Sequence, residues 1–189
     1  AFYATFQNAP TTGKRVMLAL DASYSMTVGV HGMDYLSCRE AAAAMALVTA
    51  ASEPRHMFTA FTAAFGGYGP SGLTTLSFSP RERLDDVLKR TDRLSFGWTD
   101  CALPMLEARK RRWKVDVFVV YTDNETWAGD VHQSQALQQY RDKTGIPARL
   151  VVVGMASNGF TIADPMDGGM LDVVGFDAAT PRLIAEFVH

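Results

Sequence analysis

Three separated stretches of the chain carry clustered oxygen-bearing side chains: Asp21, Ser23 and Ser25, then Thr99 with Asp100, then Thr122 with Asp123. Carboxylates and hydroxyls without histidine or cysteine make a hard-oxygen donor set. Such a set suits Mg²⁺, with Mn²⁺ or Ca²⁺ as alternatives, and disfavours zinc and copper. In an extended loop residues two apart point the same way, so Asp21, Ser23 and Ser25 can converge on one ion. Mg²⁺ takes few carboxylates and keeps waters, which leaves a coordination position for the Glu or Asp of a partner. The D-x-S-x-S spacing alone is weakly specific, because Asp, Ser and Thr also cap helices and form turns. Its meaning depends on where the fold places it.

The elements that would position these residues are legible in outline. Residues 16–20 form a continuous apolar run, which reads as a strand covered on both faces. Residues 37–51 are rich in Ala and lack Gly and Pro, which predicts a helix. Strands are expected at 57–62 and 73–78. Ser79 followed by Pro80 predicts the cap and first position of a helix over 81–90. A further helix is expected over 100–112, and 115–121 is the clearest buried strand. Residues 132–143 read as a helix stopped by Gly145, with Pro147 just beyond. Strands at 149–154 and 171–174 and a helix at 181–188 complete the pattern.

Strands alternating with helices predict a doubly wound α/β fold, a mainly parallel central sheet with helices on both faces. Residues 1–14 read as a lead-in or linker and 15–189 as one domain. In such sheets the ligand lies beyond the carboxyl ends of the strands, at a topological switch point. Asp21, Ser23, Ser25, Thr99 and Asp123 would all stand at that edge, which favours a metal site over separate caps.

Composition narrows the function classes. An apolar content of 48% with 20% charged residues describes a globular chain, and 189 residues can bury a core without staples. A formal net charge of −2 offers no basic face for autonomous binding to nucleic acid. The local cluster Arg109, Lys110, Arg111, Arg112 and Lys114 reads as a solvated helix end. Cys38 and Cys101 are too few for a disulfide framework and lack metal spacing, so free buried thiols in a reducing, cytoplasmic setting are expected. No apolar run reaches transmembrane length and no leader is visible, so no membrane partner is expected. The chain starts at Ala1 rather than methionine, which admits an excised fragment, and an absent leader then says little about the parent. The segment 66–72 reads as a turn-rich surface loop, Trp127 as packing or as rim of the ligand face, and the four histidines as scattered.

Asp21-Ala22-Ser23-Tyr24-Ser25 resembles the metal-ion-dependent adhesion site of von Willebrand factor A and integrin I domains, with Thr99 and Asp123 matching the later threonine and the strand-end aspartate. That resemblance implies direct ion binding by the two serines and the threonine, with the aspartates acting through water. Segments 12–15, 99–105, 117–126 and 157–165 are similar to the A domain of the Ro ribonucleoprotein family, from about residue 12 to the end of the chain. In that family a ring of helical repeats binds Y RNAs and the ends of misfolded small RNAs. No such repeats occur here, so the resemblance implies RNA contact only through a parent Ro-like protein, not through this domain alone. Two residues depart from the family pattern: Tyr24 is bulky, and Trp98 stands where glycine is usual. Both would narrow access to the ion or wall the site with aromatic surface.

The leading expectation is therefore a metal-dependent binding module and not an enzyme. A Mg²⁺-dependent phosphoryl-transfer hydrolase is the alternative, but the haloacid dehalogenase type needs a carboxylate two residues after its nucleophile, where Ser23 stands. A scaffold with a vestigial metal site is the remaining reading.

Overall fold

A computed structural model describes residues 10–30, 32–64, 71–94, 97–123, 129–156, 162–177 and 179–189. In chain order the described elements are β1 (Val16–Asp21), a single 3₁₀ turn (Tyr24–Thr27), β2 (Gly29–Val30), β3 (Met33–Ser37), α1 (Cys38–Ser52), β4 (His56–Thr62) and β5 (Gly72–Leu76). They continue with α2 (Leu84–Thr91), α3 (Leu103–Lys110), β6 (Val117–Thr122), α4 (Gln133–Thr144), β7 (Arg149–Gly154), β8 (Met170–Val174) and α5 (Thr180–Val188). The central sheet has the order β5-β4-β1-β6-β7-β8. Every neighbouring pair is parallel except β4 with the edge strand β5. The expected doubly wound α/β architecture is what forms.

Burial on both faces explains the apolar runs. Every residue of β1 and β6 is buried. Alternate side chains feed two cores, as a strand period of two requires. Leu18, Val119, Tyr121 and Val151 point into one core with α1 and α5, while Ala19, Phe118, Val120 and Val152 enter the other with α3 and α4. α1 carries buried residues all round, six of them alanines, so its backbone can lie close to the sheet. Its first turn is fixed by a capping box: Ser37 accepts from the Glu40 N–H, and the Glu40 carboxylate accepts from the Ser37 N–H at 2.8 Å.

The consequence for function lies at β1 and β6. These strands are neighbours, yet α1 follows β1 on one face and α4 follows β6 on the other. Helices that leave adjacent strands on opposite faces place a crevice at the carboxyl ends of those two strands.

Three local expectations are corrected. Ser79 does not cap α2, which starts at Leu84 with Arg83 as its unassisted cap residue. The Ser79 hydroxyl instead accepts from the Arg81 N–H at 3.3 Å, closing a separate turn ahead of the helix. The helix expected over 100–112 shortens to α3, because Asp100 folds back to accept the Ala102 N–H at 2.9 Å and Arg112 takes a φ of 56°. The β2–β3 hairpin was not anticipated, since its segment lacks apolar alternation. The segment 66–70, the pattern Asn124-Glu125-Thr126, Trp127 and residues 157–161 lie outside the described residues. Cys38 and Cys101 are free and buried, as expected. Among the described residues no helix is long and apolar enough to cross a membrane.

Candidate metal centre

Asp21 ends β1 with 3% of its surface exposed, and its two carboxylate oxygens organise the crevice. Oδ1 accepts the Ser23 N–H at 2.8 Å. Oδ2 accepts the hydroxyls of Thr99 at 3.1 Å and Thr122 at 2.8 Å. The Thr122 hydroxyl also lies 3.4 Å from Asp123 Oδ1, a weaker second acceptor. The Ser23 and Ser25 hydroxyls are 3.0 Å apart. Asp21, Ser23, Ser25, Thr99 and Asp123 thus join one network, and Thr122 is the link between its two carboxylates. Thr122 stands at the strand end, outside the five residues that the sequence pattern groups as the site. Its position, one residue before Asp123 on the neighbour of β1, is the signal that marks it.

Backbone pairing holds Thr99 in place across a long sequence separation. Trp98 exchanges both of its backbone hydrogen bonds with Ala63, at 2.7 and 2.8 Å. The Tyr24 N–H donates to the Gly97 carbonyl at 3.3 Å, beside a parallel bridge between Ser23 and Gly97. Gly129, with a φ of 95°, then packs against Asp100: a Cβ built there would stand 2.4 Å from Asp100 Oδ2. Only glycine suits both that backbone region and that approach, and nothing in the local sequence pattern announces the contact.

A second carboxylate in so dry a place perturbs Asp21. Burial, followed by the charge of Asp123, pushes Asp21 up to about 7, against the pull of bonds from Ser23 and Thr122. The same field reaches both thiols. Burial first, with Asp21 and Asp123 adding to it, lifts Cys38 to about 11 and raises Cys101 as well. Burial also raises Asp100, with Asp130 contributing. Among the described residues no three His, Cys, Asp or Glu side chains converge as a metal cage. The donor set here is two carboxylates and four hydroxyls. Its chemistry fits a small hard cation that keeps some of its waters, and not a metal held by His or Cys.

Tyr24 and Trp98 flank this network with 75% and 47% of their surface exposed. They form a rim and do not plug the crevice. The basic cluster after α3 is confirmed as a helix end: Lys110 and Arg111 both pair with Glu107, and Arg111 stacks on Trp113.

A parallel α/β sheet with a hydroxyl-rich acidic crevice at its central switch point is the plan of a von Willebrand factor A-type domain. Known proteins place it more finely. The model of the Ro60 vWA domain matches residues 15–188. The chain is 45% identical to the RNA-binding protein RO60 of Caenorhabditis elegans over 188 residues, which is 99% of this chain and 28% of that protein. It is 46% identical to the RNA-binding protein RO60 of Deinococcus radiodurans over 190 residues, all of this chain and 34% of that one. The chain therefore belongs to the Ro60 vWA domain family. It spans about a third or less of the length of these relatives. The crystal structure of the Deinococcus radiodurans RO (RSR) protein superposes with a TM-score of 0.83 at 44% identity, covering 97% of this chain and 36% of that one. Proximal thread matrix protein 1 of the mussel byssus shares the fold alone, at a TM-score of 0.56 and 13% identity over 93% of this chain and 47% of its own.

Proposed function

We propose that this chain is the metal-dependent docking domain of an Ro-type RNA-binding protein. Asp21, Ser23, Ser25, Thr99 and Asp123 hold one divalent cation, Mg²⁺ with Mn²⁺ or Ca²⁺ as substitutes, and an acidic side chain of a protein partner completes its coordination. One observation carries the reading: two buried carboxylates at the ends of adjacent central strands are drawn into one hydrogen-bonded network with four hydroxyls. A bound divalent cation would offset the charge of the two carboxylates and offer a Lewis-acidic position for an outside carboxylate. Thr122 keeps Asp21 oriented through its 2.8 Å bond, and the Trp98–Ala63 pairing keeps Thr99 at the same edge.

RNA contact belongs to the remainder of such a protein. The relatives named as RNA-binding are roughly three times longer, and a net charge of −2 gives this chain no basic face of its own. Hydrolysis has no support two residues after Asp21, since residue 23 is serine and not a second carboxylate. The two free buried thiols agree with a reducing, cytoplasmic setting. The test is thermal unfolding with and without Mg²⁺. Mg²⁺ at about a hundred times its dissociation constant stabilises the folded chain by about 2.7 kcal/mol, EDTA reverses the gain, and Asp21→Ala abolishes it. Identical melting curves with Mg²⁺ and with EDTA would sink the proposal.

A further inference from the structure

Two aromatic rings stand at the rim of the crevice, and the cation alone gives them no purpose. Tyr24 lies between Ser23 and Ser25, and Trp98 directly precedes Thr99. The parallel bridge between Ser23 and Gly97 sets the backbones of Tyr24 and Trp98, one residue further on, beside each other. Their backbones are fixed. Trp98 is tied to Ala63 through both its N–H and its carbonyl, and the Tyr24 carbonyl accepts the Thr27 hydroxyl at 2.8 Å. Their rings nevertheless face water, at 75% and 47% exposure, while Phe61, Phe118 and Tyr121 are buried. Among the described residues the exposed large aromatics are Tyr24, Trp98 and Tyr35, so two of the three border this one crevice. Aromatic rings on a pinned backbone cost little entropy to order and serve as anchors at interfaces.

We propose that Tyr24 and Trp98 form a selectivity wall, which favours a partner protein whose cation-binding acidic residue is flanked by an aromatic or aliphatic side chain. This inference rests on the cation reading above. An isolated acid, or one flanked by charge, leaves both rings in water, whereas an apolar neighbour covers them. Charge decides against a polyanion. Phosphates on either side of a bound one would meet the negative charges of Asp100 and Asp130, the second of which already adds to the burial that raises Asp100; a peptide presenting one acid avoids that repulsion.

The test uses the Mn²⁺-loaded 189-residue chain and two N-acetylated, C-amidated dipeptides, phenylalanyl-glutamate and glycyl-glutamate, with affinities read by calorimetry. The phenylalanyl peptide binds about tenfold more tightly. In the double variant Tyr24→Ser, Trp98→Ser that preference falls to within about twofold, while the Mn²⁺ affinity is unchanged. Tyr24→Ser alone, removing a mostly exposed ring, gives a partial loss and guards against misfolding of the double variant. Mn²⁺ binding with equal peptide affinities in the wild type overturns the selectivity wall and leaves the cation site standing. Absence of Mn²⁺ binding overturns both. Tighter, Tyr24-dependent binding of a single-stranded oligouridylate than of either peptide would overturn the choice of a protein partner.

Discussion

The two ends of the central sheet treat their acids in opposite ways. At the amino ends, Asp116 accepts the Arg15 backbone N–H and Nε at 2.8 Å each and pairs with its guanidinium at 2.5 Å, so it is held below the ordinary carboxylate range, chiefly by the Arg15 hydrogen bonds. Asp167 is lowered in the same way by Arg141, whose Nε also donates to the Ala148 carbonyl at 2.8 Å. At the carboxyl ends, Asp21 is pushed to about 7 by burial and by Asp123. One end spends its charges on holding strands and loops together. The other draws two buried carboxylates into one network of hydroxyls, an arrangement that, on the function proposed above, suits it to a cation.

The contrast can be broken most forcefully at Asp21. Asp21→Ala or Asp123→Ala lowers divalent-metal affinity by about a hundredfold or more with the fold retained, as circular dichroism and a metal titration together would show. Asp21→Asn separates the two roles. Its amide can donate to the Thr99 and Thr122 hydroxyls, which then act as acceptors, so the metal-free variant melts above the wild type while metal binding is lost. A melting temperature below that of the metal-free wild type would contradict the charge argument.

The pH dependence has two opposed limbs. Asp21 has a folded-state value of about 7, above its ordinary 3.8, so the stability of its protonated form is complete below that ordinary value and is lost as pH rises toward about 7. Asp116 and Asp167 have lowered values, so their contribution is present above the ordinary carboxylate value and is lost as pH falls through the lowered ones. The metal-free chain is therefore most stable in mildly acid solution, and saturating Mg²⁺ removes the loss on the neutral side. Melting temperatures across pH with Mg²⁺ and with EDTA check both limbs.

Smaller effects sharpen the comparison. Thr122→Val removes the link between the carboxylates and weakens metal binding by about tenfold, because Asp21 loses its shortest side-chain bond. Arg15→Ala costs about 1 kcal/mol of stability, since the pair is partly exposed, and leaves metal affinity alone. Loss of metal binding in Arg15→Ala would erase the distinction between the two ends.

How much of this was legible in the sequence follows from what each residue touches. β1, β6 and β7 announce themselves because helices cover both faces and their side chains are apolar in both directions. The common sheet edge of Asp21, Ser23, Ser25, Thr99 and Asp123 is legible because each follows such a strand or stands in the loop ahead of a helix. The β2–β3 hairpin is short, and the few apolar residues it turns toward the core, Val30, Met33 and Leu36, do not alternate along it. Ser79 misleads because a serine before proline suits a turn as well as a cap, and the choice depends on Glu82 accepting the Ser79 N–H at 3.0 Å. The contact of Gly129 with Asp100 joins residues far apart in the chain, and no local pattern records such an approach.

On the function proposed here, the crevice between β1 and β6 holds one divalent cation. Calorimetric titration of the 189-residue chain with Mn²⁺, in parallel with Asp21→Asn, tests it most directly. One saturable site in the wild type, competed by Mg²⁺ and missing in the variant, is the predicted result. No heat of binding in the wild type at millimolar Mn²⁺, or equal binding in wild type and variant, would contradict the account.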